Sequence, residues 1–230
     1  MNYRVGLEDN VEGRSMAWLL DFPGCFAYGK DGEAAIMAAA NALHEYAAWV
    51  VGHGGECRIR LEQINIILEE SWEVYDIDQD FNRVAQGYSV NAWFLDDWKP
   101  LTEEQVSWGL QLLAWSRQDL LVAVQGLSEE KLQETYPGER WSISGILRHV
   151  GGAEWWYLDR LGIAQPRETI SEEPFERLEQ VRGWLVEVLP SLIGLAQIVG
   201  VEGELWSPRK LLRRAVWHER DHTSHIHKLN

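Results

Sequence analysis

The chain ends in a histidine-rich segment whose spacing could bind a metal ion. His218, His222 and His225 follow one another at intervals of four and three residues. In an α-helix these intervals place the three imidazoles on one face, within about 60° of one another. Two imidazoles four residues apart can bind one metal ion. The alternative is that they are core-edge histidines near a helix C-terminus, where partial positive charge is favourable. The spacing alone leaves both interpretations open.

One further histidine lies in a helix predicted upstream. His149 lies beside an apolar row formed by Ile146, Ala153 and Trp156. A lone histidine in such a place is usually a core residue with a hydrogen-bond partner. Facing helices of a bundle can, however, build a metal site from inward side chains, and three neutral imidazoles suffice for a catalytic zinc with one open position. His149 is therefore a candidate partner for the histidines of the last helix.

Four amphipathic helices are predicted after Pro100, with no strand between them. Their start signals are a capping box at residues 102–105, Ser142, Ser171 with two following glutamates, and Ser207 followed by Pro208. The third helix should bend near Pro190. Residues 99–230 are therefore predicted to form an all-α four-helix bundle.

Residues 1–98 are predicted to form a separate α+β domain. Residues 2–29 alternate like three strands, residues 32–52 carry helix formers, and residues 58–62 alternate again. The predicted order is therefore β-β-β-α-β. Residues 69–98 form an extension without a dominant pattern, in which Tyr88–Phe94 is a further candidate strand.

Short motifs between Tyr3 and about Leu61 carry a first family likeness. They are Asp21-Phe22-Pro23-Gly24-Cys25, Tyr28-Gly29-Lys30-Asp31, and the alanine-rich helix opened by Glu33-Ala34. This stretch resembles the HicB-type antitoxin domain, a small, partial ribonuclease H-like sheet with a helix. The resemblance implies contact with a partner protein and a linked DNA-binding segment. Since residues 1–99 hold 17 acidic and 7 basic residues, a net −10, and no basic segment follows, we expect a protein-docking module.

Two motifs in the helical half carry a second likeness. They are Trp141-Ser142-Ile143-Ser144-Gly145-Ile146-Leu147-Arg148-His149, continued by residues 153–158, and Trp217-His218-Glu219-Arg220-Asp221-His222. The stretch from about Leu101 to Leu229 is similar to the DinB-like superfamily. The resemblance implies a four-helix bundle that binds a divalent metal, zinc or nickel, through three histidines, which here are His149, His218 and His222.

The same resemblance implies a choice of chemistry. Family members with assigned reactions include thiol-dependent transferases and isomerases, and a coordinated thiol is deprotonated to the nucleophilic thiolate. Hydrolysis by activated water is equally permitted by the ligand set. His225 shares the ligand face but lies one turn further from His149, and Glu154 and Glu219 are candidate acid–base or supporting groups. Bundles of this family often pair, so a homodimer is expected.

Composition limits the choice of partners and location. The 230 residues carry a formal net charge of −15, which argues against nucleic acid and anionic membranes as partners. No apolar run is long enough to span a bilayer, and Met1–Val5 does not open a signal peptide. Cys25 and Cys57 are predicted to be reduced thiols. These features predict a cytoplasmic protein.

Two functions follow. The first is a metal-binding protein that acts as a metal-dependent transferase or hydrolase on a low-molecular-weight thiol or another small molecule. The alternative is a non-enzymatic binding or regulatory protein, in which the acidic first domain docks a partner and the metal is structural. An open metal position favours the enzyme, whereas a fourth protein ligand such as His225 favours the structural role.

Overall fold

The computed structural model describes all 230 residues, and the chain divides into two compact units. The first unit comprises Met1–Lys99 with Gly200–Trp206, and the second comprises Pro100–Val199 with Ser207–Asn230. The predicted order, a strand-rich region followed by a helical region, is confirmed. No helix combines the length and the apolar composition that crossing a bilayer requires.

The first unit is built on a four-stranded sheet. Strands β1 (Asn2–Val11), β2 (Arg14–Leu19) and β3 (Phe26–Gly29) form an antiparallel meander, and β4 (Asn65–Glu73) pairs in parallel with β1. The strand order is β3-β2-β1-β4. Helix α1 (Gly32–Gly52) links β3 to β4 and packs on β2 and β3 through its alanine-rich face. Asp31 caps this helix by accepting a hydrogen bond from the Ala34 backbone N–H.

The strand predicted at residues 58–62 is wrong. That segment is irregular and ends in a 3-10 turn at Leu61–Gln63, and β4 begins only at Asn65. The Tyr3 hydroxyl bonds to both the carbonyl and the N–H of Arg60, at 3.1 and 2.7 Å, so this backbone is satisfied without a strand partner. The run from Ile64 to Leu68 holds more β-branched residues and forms the ladder with β1 instead.

A small second sheet completes the first unit. It consists of β5 (Tyr75–Ile77), β6 (Arg83–Val84) and β7 (Tyr88–Val90) in the order β6-β5-β7. The predicted strand at residues 88–94 is therefore shorter than expected. Its second half is irregular and leads into a 3-10 turn at Leu95–Trp98.

The second unit contains five helices. They are α2 (Glu103–Val124), α3 (Glu129–Gln133), α4 (Ile143–Arg160), α5 (Pro174–Val188) and α6 (Pro208–Leu229). The long helices pack in the pairs α2–α6, α4–α5 and α4–α6. The predicted caps Thr102, Ser142 and Ser207 each accept a hydrogen bond from the backbone N–H three residues ahead.

Two features of residues 99–230 differ from the prediction. Helix α5 is capped by Glu173 rather than Ser171, and it ends at Val188 because Pro190 cannot continue the helical hydrogen bonds; a 3-10 turn at Leu189–Leu192 follows. The expected absence of strands between helices is also wrong, since β8 (Val199–Val201) and β9 (Glu204–Trp206) form a hairpin before α6. Its turn residues Glu202 and Gly203 both have positive φ, 48° and 81°, as a tight hairpin turn of the primed type requires.

An apolar core joins all five of these helices. It is formed by Leu120, Ala123 and Val124 of α2, Leu132 of α3, Ile143, Ile146, Leu147 and Val150 of α4, Leu178 of α5 and Ile226 of α6. Side chains of α4 and α6 thus meet along one contact. This contact determines where the histidines of those two helices lie.

Candidate metal centre

Three histidines converge between α4 and α6. The Nε2 atom of His218 lies 3.0 Å from Nε2 of His149 and 3.1 Å from Nε2 of His222. One ring nitrogen from each residue lies within 4.8 Å of the others. The structure therefore brings together the three residues that the sequence singled out as metal ligands.

Aromatic rings hold two of these imidazoles. The indole of Trp141 stacks on His149, with ring centroids 4.4 Å apart and planes 24° apart. Tyr157 meets the His218 ring edge-on at 6.1 Å. Trp141 directly precedes Ser142, the residue that caps α4, so the start of the helix and the orientation of its histidine are determined together. His218 and His222 share a face of α6 because they are one turn apart.

The surroundings keep the three imidazoles neutral. Burial holds the pKa of His218 well below its ordinary value, and the neighbouring His222, His149 and Arg214 add to this effect. Burial, with help from His149 and His225, lowers the pKa of His222 to about 3. Burial and then the charge of Arg140 lower the pKa of His149. Neutral imidazoles present lone pairs, which is the form that binds a metal ion.

The positions of the three ring nitrogens are better explained by a shared divalent cation than by hydrogen bonds among the imidazoles. Each Nε2 atom carries either one proton or one lone pair, so Nε2 of His218 cannot form two ordinary hydrogen bonds to its two neighbours. Three nitrogens on one tetrahedral ion lie about 3.3 Å apart when each metal–nitrogen bond is about 2.0–2.1 Å. The two spacings from His218, 3.0 and 3.1 Å, come close to that value, and all three nitrogens lie within 4.8 Å of one another. Imidazole donors suit zinc and nickel.

The remaining C-terminal histidines lie apart from this cluster. His225 pairs with Glu139, at 2.9 Å between Nε2 and Oε2, and contributes no atom to the three-histidine group. His227 is exposed. The site therefore has three protein donors and no fourth among the histidines of α6.

Glu154 and Glu219 belong to a buried network that we call the charge tetrad: Arg117 of α2, Glu154 of α4, Arg182 of α5 and Glu219 of α6. Each of the two arginines contacts both glutamates. Burial alone would raise the pKa of Glu219, but the charges of Arg182 and Arg117 lower it below its ordinary value. The two glutamates are therefore ion-paired supports and are committed to the arginines.

Sequence reasoning missed the two arginines of the tetrad, although a signal was present. Arg117 is spaced four residues after Leu113 and three before Leu120, and Arg182 is spaced likewise between Leu178 and Leu185. Each therefore falls in the apolar row of its helix. Two cations and two carboxylates in the apolar rows of four different helices point to pairing inside a core, since buried charges are nearly always paired.

One comparison with known proteins finds a match in the helical half of the chain. A family model described as the DinB superfamily matches residues 112–226, half of the chain. No curated protein and no solved structure matches it. The matched span runs from within α2 to within α6 and includes the three converging histidines and the whole charge tetrad. The chain thus belongs to the DinB superfamily.

Proposed function

We propose that the protein binds one divalent metal ion, zinc or nickel, through His149, His218 and His222 and uses it for group transfer or hydrolysis on a small molecule. The candidate substrate is a low-molecular-weight thiol. The observation that carries this proposal is the convergence of three neutral imidazole nitrogens at one point. Members of the superfamily generally bind metals, and the helical unit would serve as the four-helix bundle that holds the ion.

The ligand set favours a catalytic role over a structural one. Structural zinc sites are closed by four protein ligands, whereas catalytic sites use three and leave one position open. The side chain best placed to close the site, His225, is instead paired with Glu139. When bound, such an ion would lower the pKa of a coordinated thiol or water. The chain itself supplies the neutral donors and the aromatic contacts that orient them.

Metal content tests the ligand assignment. Protein purified without a histidine tag would be analysed by elemental mass spectrometry beside the variant His218→Ala/His222→Ala. The matched control is His225→Ala/His227→Ala, which removes the same number of imidazoles from the same helix. We expect roughly one zinc or nickel ion per chain in the intact protein and the control, and none in the ligand variant. Absence of metal in the intact protein, even after zinc or nickel is added, would refute the proposal.

Thiol binding tests the substrate class. Cobalt-loaded protein would be titrated with 2-mercaptoethanol and, as the matched probe without sulfur, with ethylene glycol. Direct thiolate binding produces a new sulfur-to-cobalt charge-transfer band in the near ultraviolet. Ethylene glycol has no sulfur and cannot produce this band. If the absorption spectrum of the cobalt-loaded protein does not change when the thiol is added, hydrolysis of another small molecule becomes the working hypothesis.

For the first unit we propose a HicB-like module that docks a protein partner in the cytoplasm. Support comes from the element order β-β-β-α-β within one sheet and from the net charge of −10 over residues 1–99. If metal loading produces no activity, this unit would carry the alternative function, a regulatory protein with a structural metal. A homodimer is proposed as well, and light scattering of the purified chain measures it directly.

A further inference from the structure

The charge tetrad draws one side chain from each of the four long helices. Arg117 comes from α2, Glu154 from α4, Arg182 from α5 and Glu219 from α6. Their side chains are 12, 4, 9 and 1 % exposed, respectively. Three of these four charged groups are therefore buried within the helical unit, and Arg117 is largely so.

The hydrogen bonds of the tetrad form a closed set. Arg182 donates to both oxygens of Glu154, at 2.6 and 3.1 Å, and to Glu219 at 2.8 Å. Arg117 donates to Glu219 at 2.6 Å and to Glu154 at 3.1 Å. The Ser116 hydroxyl donates to Oε2 of Glu219 at 2.5 Å. All four carboxylate oxygens are thus satisfied.

Both arginines also bind helix backbone. Arg117 donates to the carbonyl of Leu178 on α5, and Arg182 donates to the carbonyl of Leu113 on α2. Each planar guanidinium therefore contacts three helices besides its own, in directions set by its rigid donor fork. Sliding one helix along another would break several of these bonds at once.

Stability alone does not account for such a network. Burying charges costs desolvation energy, and apolar residues of similar volume often replace a buried ion pair with no loss of stability. What the ionic version adds is directional geometry, because the planar donor fork of arginine matches a carboxylate in a limited set of alignments.

The alignment that the tetrad determines is the one that the histidines need. Glu219 directly follows His218 on α6, and Glu154 lies five residues after His149 on α4, a rise of about 7.5 Å. Both arginines join these two glutamates. A shift of α4 along α6 by one turn, about 5.4 Å, would carry His149 away from His218 and His222.

We propose that Arg117 and Arg182 are positioning residues that set α4 against α6 through Glu154 and Glu219, so that the three imidazoles converge before any metal binds. This inference rests on the proposed metal-binding function. It predicts that the tetrad governs the geometry and affinity of the site separately from folding.

Two sets of substitutions separate positioning from folding. In the apolar variant Arg117→Met/Glu154→Leu/Arg182→Met/Glu219→Leu all four charges are replaced together, so no charge is left unpaired. The milder Arg182→Lys keeps the charge and loses the planar fork. The matched control is Lys131→Met/Glu134→Leu, which removes an exposed ion pair of the same unit. Circular dichroism establishes that each protein folds, and Arg182→Lys carries the test if the apolar variant does not.

The first readout needs no metal. Spin labels at Arg148→Cys on α4 and Ser224→Cys on α6, with Cys57→Ser to remove the exposed native thiol, report the α4–α6 distance in metal-free full-length protein by pulsed electron resonance. We expect one narrow distance with the intact tetrad and in the control, and a broadened or shifted distribution in both tetrad variants. Unchanged distributions in the folded variants would overturn the inference.

The second readout is cobalt binding. We expect the apolar variant to bind cobalt about tenfold or more weakly, with altered visible absorption bands, and Arg182→Lys to fall between it and the intact protein. Intact affinity and an intact spectrum in the folded variants would also overturn the inference. If the intact protein binds no cobalt, zinc or nickel, the proposed function fails, and the spin-label distances alone decide whether the tetrad positions the helices.

Discussion

The indole of Trp141 lies flat against the imidazole of His149, with centroids 4.4 Å apart. The ring that orients this candidate ligand comes from the loop before α4, eight positions earlier than the histidine and one residue before the Ser142 cap. The Trp141 ring also contacts Arg140, whose guanidinium carbon lies 4.6 Å from the ring centroid. The entry into α4 and the orientation of one metal ligand are therefore coupled.

Replacing the indole should weaken metal binding without unfolding the protein. In Trp141→Leu the His149 ring gains rotational freedom, and we expect metal affinity to fall about tenfold, the lower end of the range for groups that orient a ligand. Trp141→Phe keeps a stacking surface and should lose less. Competition with a chelator of known zinc affinity measures both variants. Equal affinities of the intact protein and Trp141→Leu would show that the stack does not orient the ligand.

Breaking the charge tetrad by one residue should cost far more stability than breaking a surface pair. Arg182→Met leaves Glu154 and Glu219 buried with half of their partners missing, and such a loss costs about 3–5 kcal/mol of unfolding free energy. Lys131→Met, which breaks an exposed pair with Glu134, should cost about 0–1 kcal/mol. Urea unfolding followed by circular dichroism measures both. Similar midpoints for the two variants would contradict the assigned burial of the tetrad.

The elements that could be predicted from the sequence are those marked by local signals. The caps Thr102, Ser142 and Ser207 act within one turn of the chain, so they could be read without knowing the fold. The spacing of His218 and His222 is also local. That His149 meets them is a tertiary fact: the expected packing of facing helices made it a candidate, and the family resemblance assigned it as a ligand.

Non-local pairings explain what sequence reasoning missed. The roles of Arg117 and Arg182 depend on ion pairs with glutamates from two other helices, and these contacts exist only in the folded protein. The alternation at residues 58–62 is a valid strand pattern, but no neighbouring strand pairs with it, because Tyr3 satisfies the Arg60 backbone. A pattern of period two shows that a strand could form, and the partner decides whether it does.

The Tyr3 hydroxyl offers a test of that last point. It accepts a hydrogen bond from the Arg60 N–H and donates one to the Arg60 carbonyl, while the Tyr3 ring is buried in the first unit. Tyr3→Phe keeps the ring and leaves both backbone groups unpaired, so we expect a loss of about 1–3 kcal/mol. Hydrogen exchange should show faster exchange of the Arg60 amide. An unchanged Arg60 rate would mean that water replaces the hydroxyl at no cost.

Acid should destabilise the metal-free protein through the histidine site. The pKa of His222 is lowered from its ordinary value of 6.5 to about 3, chiefly by burial, so the unfolded chain binds this proton more readily than the folded chain does. The contribution of His222 to stability is therefore fully present above about pH 6.5 and is lost as the pH falls towards about 3. His149 and His218, whose pKa values are also lowered, act in the same direction.

The variant His222→Gln isolates this effect. Its melting temperature should fall less between pH 7.5 and pH 4.5 than that of the intact metal-free protein, because one of the groups that must be buried neutral has been removed. Carboxylates titrate alike in both proteins and cancel in the comparison. The control His227→Gln changes an exposed imidazole and should follow the intact protein. Parallel curves for His222→Gln and the intact protein would mean that His222 accepts its proton without cost, which is incompatible with a buried imidazole held neutral as a metal ligand.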